Sequence, residues 1–598
     1  MTKEELMELK EKILKLKDFA DAPKLLPKQT AYSFVYENNK NRLDQIAINY
    51  LGRKYTYGEL FNKIDLCAKA YKEMGVKKGD MVSVSMLMTP EAIISFYALN
   101  KIGAVAHMVN ITHNVEETEN ALRNTNSKLF VTHDIFYTQK IRKAVENAGV
   151  ENVIVSSLDE SLFKGFYGDR FKIKLINLLK KVGNEVSKDN KCIRWKNFEK
   201  LGENSNIVVK DEYIPNLPTS IAYTSGSTGM PKAVLATNEA FNSLPVQLGM
   251  TDQMFIPGDS IFTTLPSWIY YSLVNNMHNP LCLGVSLDID PLFNPSNIHK
   301  RLKQYRFNHW NTIPAYVDGM VHNKKVNGID LSFLKSITTG GDYLTTKLKS
   351  EGEELLKNNN SNIYIGQGYG ASELLGSFGY TYEKNMSPNT IGKPLVGNKF
   401  KVLDLTTGEE LGPNCSGELY LYSPSLMMEY YGNPEATNKS IITDENGVRW
   451  YKTEDVAHYN EKGELFIDGR LRRIELSKDE QGNPAKVFPD RIKQVVLKHP
   501  SVEKCEVIMV PDDERILRPA AYIVLKHGVE LSNELVNEIK KVCTSEKLEV
   551  YSMPIKYTEL SEIPLTPALK PDFKKLEEMY IEEKEKEKPK SKKILFKA

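Results

Sequence analysis

The segment "YTSGSTGMPK" (223–232) places glycines and hydroxyl side chains directly after a short apolar stretch, "TSIAY" (219–223). Gly226 and Gly229 allow backbone conformations that residues with a Cβ resist, and the segment ends in a cation, Lys232. Backbone N–H groups, hydroxyls and one fixed charge together suit the oxygens of a phosphate chain. The G-K-[ST] ending of a Walker A loop is missing. The segment therefore predicts a different phosphate-binding loop after a strand, with a solvated Ser/Gly linker as the alternative.

Three further stretches hold single side chains that could take part in the same chemistry. "GQGYGASELLG" places the aromatic ring of Tyr369 four residues before a lone acid, Glu373. "WYKTEDVAHYNEKGELFIDGR" places Asp455 15 residues before Arg470, across a predicted hairpin, and "IPLTPALKPDFKKL" carries Lys570. Each also has a structural interpretation: a core aromatic, a surface acid, an ion pair and an ordinary surface lysine. Their order along one chain favours a shared site.

Secondary-structure elements must position these residues, and the sequence pattern predicts an α/β fold with parallel strands. Between residues 81 and 157 strands alternate with helices, as in "MVSVSML", "AVAHMV", "KLFVTH" and "NVIVSS". Thr89 and Pro90 predict a helix start, and Gly103 predicts its end. This alternation is typical of βαβ units. The pattern recurs around residues 219–235, 260–290, 307–313 and 335–341.

The pattern changes after Arg470, where a small α+β unit is predicted. Helices are expected at about 489–498 and 531–546, and strands at 503–510, 518–526 and near 555–560. The sequence thus predicts a large domain over residues 1–470, a small domain over 471–577 and a charged, disordered tail over 578–598.

Composition restricts the class of protein. The 598 residues are 41% hydrophobic and 26% charged with a net charge of +2, which gives no support for nucleic-acid binding. The six cysteines lie far apart, so neither a zinc site nor a disulfide framework is indicated. No apolar run reaches the roughly 20 residues of a membrane span. The N-terminus predicts an amphipathic helix capped by Thr2 and Glu5 rather than a signal peptide, and a cytoplasmic location is expected.

A basic amphipathic segment, residues 161–188, interrupts the α/β pattern. One helix face could be shared by Phe171, Leu175, Leu178, Leu179 and Val182. We expect this helix to pack on its own domain, and weak contact with a membrane surface is the alternative.

Taken in order, "YTSGSTGMPK", "YGASE", "KTED", "GR" and "PLTPALK" resemble the motifs of the adenylate-forming superfamily. That superfamily includes acyl-CoA synthetases, peptide-synthetase adenylation domains and firefly luciferase. The resemblance extends from about residue 30 to 577. It implies a large N-terminal domain of layered α/β subdomains and a small mobile α+β lid domain. It also implies that ATP and Mg²⁺ activate a carboxylic acid to acyl-AMP, whose acyl group then passes to the thiol of CoA.

The resemblance also implies roles for individual residues. The acid of the pair Ser372 and Glu373 would hold Mg²⁺, Tyr369 would stack on adenine, and Asp455 with Arg470 would bind the ribose. The residues that would bind the phosphates of ATP are Thr224, Ser225, Gly226, Thr228, Gly229 and Lys232.

Three further assignments concern the acyl side and the small domain. Gly340, Gly341 and Asp342 match a loop beside the adenine and acyl groups. Lys570 matches a mobile lysine that meets the substrate carboxylate and the α-phosphate, where a cation stabilises developing charge. Arg472 stands at the hinge between the domains.

The chain departs from the family pattern at several positions. Glu454 occupies the position of a common glycine, and Ile269 replaces a histidine. The stretch 474–489 is longer than the turn that, in related enzymes, closes on pantetheine during thioester formation. The motifs therefore support the adenylation half of the reaction better than the thiol half.

The expected acyl pocket is mainly apolar and contains Ser267, Trp268, Ile269 and Tyr271, with Gly340 beside them. It lacks the aspartate with which activators of α-amino acids hold the amine, so a fatty or aromatic carboxylate fits best. An enzyme that loads the phosphopantetheine of a separate carrier protein is the alternative to a CoA ligase. A nucleotide-binding pseudoenzyme is a third interpretation, which intact motif residues disfavour.

Overall fold

A computed structural model describes most of the chain in two compact units. The first unit comprises residues 1–401, 420–452 and 462–465, and the second comprises 402–419, 453–461 and 466–598. The predicted boundary at residues 470–471 stays a prediction. The described residues are 1–16, 18–162, 183–224, 231–251, 255–381, 385–473, 475–512, 516–546, 548–565 and 571–587.

One sheet of the first unit has eight strands and contains the predicted alternation. The strands at 81–85, 105–108, 129–133 and 152–156 are parallel neighbours, as their sequence pattern predicts. The strand before the glycine-rich segment and the one after it are antiparallel. The spatial order of this sheet is Glu429–Tyr430, Ala233–Thr237, Pro218–Tyr223, Val105–Met108, Met81–Ser85, Leu129–His133, Asn152–Ser156 and Cys192–Arg194.

The other large sheet of this unit has nine strands with a parallel centre. Because the carboxyl ends of parallel strands meet at one edge, the loops that follow residues 263, 312, 339 and 369 gather there. The spatial order is Lys393–Pro394, Gly379–Tyr380, Ile365–Tyr369, Ser336–Thr339, His309–Thr312, Ser260–Thr263, Ser286–Ile289, Ile46–Tyr50 and Arg53–Thr56.

Helices flank these sheets, and their ends follow the capping signals. Thr2 and Glu5 form the predicted capping box. Thr89 caps the next predicted helix, and Gly103 follows it with φ of +74°. The α-helices of this unit are Lys3–Leu14, Ala31–Asn39, Tyr57–Glu73, Pro90–Lys101, Val115–Asn124, Gln139–Asn147, Gly183–Lys188, Trp195–Glu203, Asn238–Gly249, Tyr270–Ser272, Asn279–Cys282, Ile298–Tyr305, Pro314–Val321, Thr346–Asn358 and Pro434–Ser440.

Shorter helical turns complete this unit. A π-helix, Leu273–His278, joins two of the α-helices. The 3₁₀ turns are Phe19–Leu25, Asp134–Phe136, Pro295–Asn297, Lys324–Val326 and Ser372–Leu374. An aromatic core that includes Phe262, Phe307 and Trp310 packs on the nine-stranded sheet and fixes its position. Between residues 399 and 470 the chain adds the strands Lys399–Leu403, Gly417–Tyr422, Ile441–Thr443, Arg449–Tyr459 and Leu465–Arg470.

The second unit has the predicted α+β order after residue 470. Its three-stranded sheet contains Val502–Asp512, Ile516–Leu525 and Lys556–Glu559. Its helical elements are Leu471–Arg473, Pro489–Val496, Asn533–Ser545, Val550–Ser552 and Phe573–Glu587.

Two segments of this unit differ from the sequence expectation. The stretch expected to be a long turn contains an antiparallel hairpin, Glu475–Lys478 with Pro484–Val487. The last helix continues through residue 587, so residues 578–587 are helical rather than a disordered tail. Leu576 and Tyr580 are buried in an apolar cluster, and this anchor explains why the charged segment is helical.

The basic segment 161–188 is described only in part, because residues 163–182 lie outside the described chain. The helix Gly183–Lys188 buries Val186 in an apolar cluster of its own unit. The residues of the predicted helix face lie outside the described chain, so its packing stays a prediction. Across the described residues, no helix is both long and apolar enough to cross a bilayer.

Gly202 offers a test of the packing between two helices. A Cβ at this position would lie 1.9 Å from the carbonyl oxygen of Leu66 on the helix Tyr57–Glu73. We expect Gly202→Ala to lower the free energy of unfolding by about 2 kcal/mol, because overpacking forces the helices apart. Urea titration followed by tryptophan fluorescence measures it, since all tryptophans belong to this unit.

Lys200→Ala is the matched control, because Lys200 is an exposed position of the same helix. An unchanged urea midpoint for Gly202→Ala would show that the two helices do not approach so closely.

Candidate active site

Thr224 and Lys232 close the base of the glycine-rich segment. The N–H of Thr224 donates to the carbonyl of Lys232 at 3.0 Å, and the N–H of Lys232 donates to Oγ1 of Thr224 at 3.0 Å. The two strands on either side, Pro218–Tyr223 and Ala233–Thr237, are antiparallel partners, which brings Thr224 and Lys232 together. The predicted site residues outside the described chain are Ser225, Gly226, Thr228, Gly229 and Lys570.

A buried tyrosine joins Lys232 to Glu373. The Nζ of Lys232 lies 4.5 Å from the ring centroid of Tyr430, and the Tyr430 hydroxyl donates to Oε1 of Glu373. Tyr430 is 1% exposed and Glu373 is 7% exposed. A cation over an aromatic face is an attractive contact, and a buried carboxylate requires a donor. The structure thus brings two of the predicted site residues to one side chain.

The local backbone explains this arrangement. Tyr430 pairs with Val234, so it lies beside the strand that Lys232 precedes. The N–H of Met427 donates to the carbonyl of Glu373 at 2.7 Å, which holds the two segments together. The sequence carries no motif signal for Tyr430 beyond its membership of an adjacent aromatic pair, Tyr430 and Tyr431.

Glu373 is a candidate for a single-carboxylate metal site. Ser372 begins the 3₁₀ turn that carries it, and Tyr369 ends the strand before that turn, half-buried. Within the described residues, no cluster of three or more His, Cys, Asp or Glu side chains could hold a metal by itself. One carboxylate supplemented by phosphate oxygens is a coordination that Mg²⁺ accepts.

Asp455 and Arg470 form an ion pair on the paired strands Arg449–Tyr459 and Leu465–Arg470. Nε of Arg470 lies 3.1 Å from Oδ1 of Asp455, with Arg470 56% exposed and Asp455 9% exposed at the side chain. An ion pair that is open on one side contributes about 0–1 kcal/mol. The pair therefore contributes little to stability and leaves a carboxylate beside a guanidinium, a combination suited to hydroxyl ligands.

The backbone before Asp455 is strained. Glu454 has φ of +60°, a conformation that favours glycine and costs other residues about 1–2 kcal/mol. Thr453 stabilises this turn, because its hydroxyl donates to the carbonyl of Leu419 at 2.8 Å and accepts from the N–H of Asp455 at 2.9 Å. This positive φ explains why the family pattern has a glycine at the position of Glu454.

A neutral polar network anchors the strand that enters the loop. The hydroxyl of Tyr223 bonds to Nε2 of His107 at 2.8 Å, and Nδ1 of His107 bonds to the Ser83 hydroxyl at 2.7 Å. Burial lowers the pKa of His107 to about 3 and raises the pKa of Tyr223. The network therefore stays uncharged at neutral pH. His107 and Ser83 have no motif signal in the sequence, whereas Tyr223 begins the glycine-rich segment.

The residues of the predicted acyl pocket differ in burial and in their contacts. A Cβ at Gly340 would lie 3.1 Å from Cζ of Tyr271, so the glycine admits the tyrosine ring. The Tyr271 hydroxyl donates to the carbonyl of Thr312 at 3.1 Å. Ser267 is buried and donates to the carbonyl of Met86 at 2.6 Å, which is a structural bond. Trp268 and Ile269 are half-buried.

The remaining predicted residues lie in turns. Gly341 has φ of +79°, and Asp342 is exposed with Oδ1 accepting from the N–H of Tyr343 at 2.8 Å. Arg472 lies within the 3₁₀ turn Leu471–Arg473. Nothing in this geometry tests its role as a hinge.

Comparison with known proteins identifies two matching family profiles. The profile of the AMP-binding enzyme matches residues 35–431, and that of the AMP-binding enzyme C-terminal domain matches residues 491–570. The first match alone covers more than half of the chain.

Individual relatives share about a quarter of their residues with this chain. A 4-coumarate--CoA ligase 3 from Arabidopsis thaliana is 26% identical over 565 residues, covering 92% of this chain and 90% of the relative. A long-chain-fatty-acid--CoA ligase from Bacillus subtilis (strain 168) is 24% identical over 553 residues, covering 90% and 93%.

Solved structures share the fold at lower identity. ATP-bound MatB from Rhodopseudomonas palustris superimposes with a TM-score of 0.76 at 18% identity, covering 92% of this chain and 98% of that one. A benzoate CoA ligase from Burkholderia xenovorans LB400 gives a TM-score of 0.74 at 19% identity, covering 92% and 99%.

The strain at Glu454 predicts a stability difference between two substitutions. Glu454→Gly relieves the positive φ, whereas Glu454→Val places a β-branched residue in it, and both remove the carboxylate. We expect the glycine variant to be more stable than the valine variant by about 1 kcal/mol, after the chain-entropy cost of glycine is subtracted. Differential scanning calorimetry of the two proteins measures this difference. Equal melting temperatures would contradict the strained conformation.

Proposed function

Because the chain belongs to the AMP-binding enzyme family, we propose that it activates a carboxylic acid with ATP and transfers the acyl group to CoA. A carboxylate oxygen attacks the α-phosphorus of ATP, the bond from that phosphorus to the bridging oxygen breaks, and pyrophosphate leaves. The thiol sulfur of CoA then attacks the acyl carbonyl, its proton goes to solvent, and AMP leaves with the bonding electrons.

The observation that carries this proposal is the connection of Lys232, Tyr430 and Glu373 beside the glycine-rich loop. The contact places a cation and a carboxylate on one buried ring. Lys232 would neutralise phosphate oxygens, together with Thr224 and the other loop residues. Glu373 would hold Mg²⁺, which when bound screens the charge of the phosphates and favours departure of pyrophosphate.

The nucleoside and the attacking carboxylate would be bound by other predicted residues. Asp455 would accept hydrogen bonds from the ribose hydroxyls while Arg470 orients its carboxylate, and Tyr369 would stack on adenine. Lys570 would meet the α-phosphate and the substrate carboxylate, where a cation is most useful during attack.

The small domain would move between the two half-reactions. A lysine over the α-phosphate obstructs a thiol that must reach the acyl carbonyl, so one fixed arrangement cannot easily serve both steps. We place the hinge near Arg472, after the ribose contact Arg470. The hairpin Glu475–Lys478 with Pro484–Val487 is then the element that would close on the pantetheine arm of CoA.

The names of two relatives and the expected apolar acyl pocket support a substrate class. CoA ligases named for 4-coumarate and for long-chain fatty acids are among the relatives, which supports an aromatic or fatty acid. A carrier-protein phosphopantetheine is the alternative thiol. The two acceptors differ in whether free CoA releases AMP.

The proposed reaction predicts ATP- and Mg²⁺-dependent release of pyrophosphate from a panel of fatty and aromatic acids. We expect at least one acid to release pyrophosphate, and addition of CoA to release AMP and yield the thioester. The assay is run with and without CoA on the full chain. Pyrophosphate without CoA-dependent AMP would favour the carrier protein, and no release with any acid would refute the proposal.

Lys570→Ala is the control for the first half-reaction. It should lose pyrophosphate release and still convert supplied acyl-AMP to the thioester, because Lys570 is needed only while the α-phosphate is attacked. Equal loss of both half-reactions would contradict its assignment.

Tyr430→Phe tests whether the tyrosine hydroxyl positions Glu373. The variant keeps the ring under Lys232 and removes the donor to the carboxylate. We expect the Mg²⁺ concentration for half-maximal pyrophosphate release to rise about tenfold, since a hydrogen bond to a charged group contributes about 1.5–3 kcal/mol. Glu373→Gln should raise it further, because an amide lacks the charge that a hard cation prefers.

Tyr431→Phe is the matched control, because Tyr431 is the adjacent tyrosine and its backbone N–H, rather than its hydroxyl, bonds to Ala233. A Tyr430→Phe protein with the Mg²⁺ requirement of the Tyr431→Phe protein would remove Tyr430 from this role.

A further inference from the structure

The segment that follows Tyr271 buries an unusual number of amides. It forms a π-helix, Leu273–His278, a distortion that often marks functional sites. Asn275, Asn276 and Asn279 each have no exposed surface. The sequence predicts a mainly apolar acyl pocket at Trp268, Ile269 and Tyr271, so these amides are the feature that the expectation did not include.

Asn275 has an asymmetric set of partners. Its Oδ1 accepts from the Ser377 hydroxyl at 2.9 Å, from the Tyr380 hydroxyl at 3.0 Å and from Nδ2 of Asn279 at 3.2 Å. The backbone is held as well, because Nδ2 of Asn311 donates to the Asn275 carbonyl at 2.9 Å. Nδ2 of Asn275 has no hydrogen-bond partner in the described structure. The side chain is thus fixed by its oxygen while its donor is unused.

The neighbouring amides also have buried atoms without partners. Both amide atoms of Asn276 and Oδ1 of Asn279 have no hydrogen-bond partner among the described residues. Buried polar atoms of native proteins are nearly always bonded, so each exception requires a physical explanation. Several unpartnered amide atoms lie within and directly after one π-helix. A bound ligand that supplies hydrogen-bond partners explains them best.

Asn275 lies directly beside the predicted acyl pocket. A Cβ built on Gly376 would lie 3.2 Å from Nδ2 of Asn275 and 2.7 Å from Cα of Tyr271, so Gly376 packs against both the unused donor and the backbone of Tyr271. Tyr271 in turn packs on Gly340. The donor is therefore next to the residues expected to receive the acyl group.

A small cavity lies beside two of the residues that hold Asn275. Its volume is about 30 Å³, and its lining includes Asn311, Ser336, Thr338 and Tyr380. Asn311 and Tyr380 both bond to Asn275. This volume exceeds the roughly 10–15 Å³ that one water molecule requires on the same measure, so the cavity has room for a small polar group.

We propose that the acid which this enzyme activates carries a hydrogen-bond-accepting oxygen in its acyl part, received by Nδ2 of Asn275. The inference rests on the proposed function, because it assumes that Tyr271 and Gly340 receive the acyl group. A ketone, ether or hydroxyl oxygen would satisfy the unused donor, whereas an apolar tail would leave the donor without a partner. A site built to bond such an oxygen discriminates strongly against an analogue that lacks it.

The experiment measures binding separately from turnover. Matched acids are titrated into the full-length protein by calorimetry: octanoate against the same chain with a ketone near its far end, and phenylpropanoate against its para-hydroxy analogue. We expect the oxygenated member of at least one pair to bind about tenfold or more tightly, since an unsatisfied buried donor has a cost of that order.

Asn275→Asp is the decisive variant, because it keeps the oxygen that accepts three hydrogen bonds and replaces only the donor. It should lose the preference for the oxygenated acid. Asn275→Leu is the second variant, and it should reverse the preference toward the apolar acid. Leu273→Met, on the same turn, is the control and should keep the wild-type preference.

The outcomes separate this inference from the proposed function. Equal affinity for both members of every pair, tighter binding of the apolar member, no binding of any acid, or an unchanged preference in Asn275→Asp would overturn the inference. A retained binding preference without pyrophosphate release on addition of ATP and Mg²⁺ would support the inference and refute the ligase reaction.

Discussion

The hydrogen bond from the Tyr430 hydroxyl to Glu373 is the interaction on which the candidate site depends. Glu373 follows a strand of the nine-stranded sheet, whereas Lys232 precedes a strand of the eight-stranded sheet. Tyr430 contacts both, with its ring under the ammonium and its hydroxyl on the carboxylate. Because a buried carboxylate without a donor is costly, this single side chain both stabilises Glu373 and fixes its distance from the loop cation.

Local signals explain how much of the fold the sequence could predict. The parallel strands between residues 81 and 157, the Thr2 capping box and the helix begun at Thr89 depend on neighbouring residues, and the structure confirms them. The hairpin Glu475–Lys478 with Pro484–Val487 was missed because its polar, glycine-containing connection resembles a long turn. The helix through residue 587 was missed because its charge pattern conceals the two anchors, Leu576 and Tyr580.

The residues of the candidate site also differ in whether the sequence alone identifies them. Motif order selects Lys232 and Glu373, which both contact Tyr430, and it separately selects Asp455 and Arg470, which form an ion pair. It could not select Tyr430, whose role exists only once two sheets are assembled. Nor could it show that Asn275 is an acceptor for Ser377 and Tyr380, which lie about a hundred residues away in the sequence. Contacts of this range are a property of the tertiary structure, and no local period encodes them.

The polar groups of the candidate site fall into two classes, according to whether their hydrogen-bonding atoms are already paired within the chain. Glu373 bonds to Tyr430, and Asp455 pairs with Arg470, so the carboxylates assigned to nucleotide binding are held by their own chain before any ligand arrives. Such preorganised groups can be shared by enzymes that act on different acids, which is consistent with relatives named for 4-coumarate and for long-chain fatty acids. Asn275 is different, because its oxygen is fixed by three donors while its own donor is unused. An orphaned donor held this rigidly can be satisfied only by the substrate or a water molecule. Under the proposed acyl recognition, this donor would distinguish between acids, whereas the preorganised carboxylates would not.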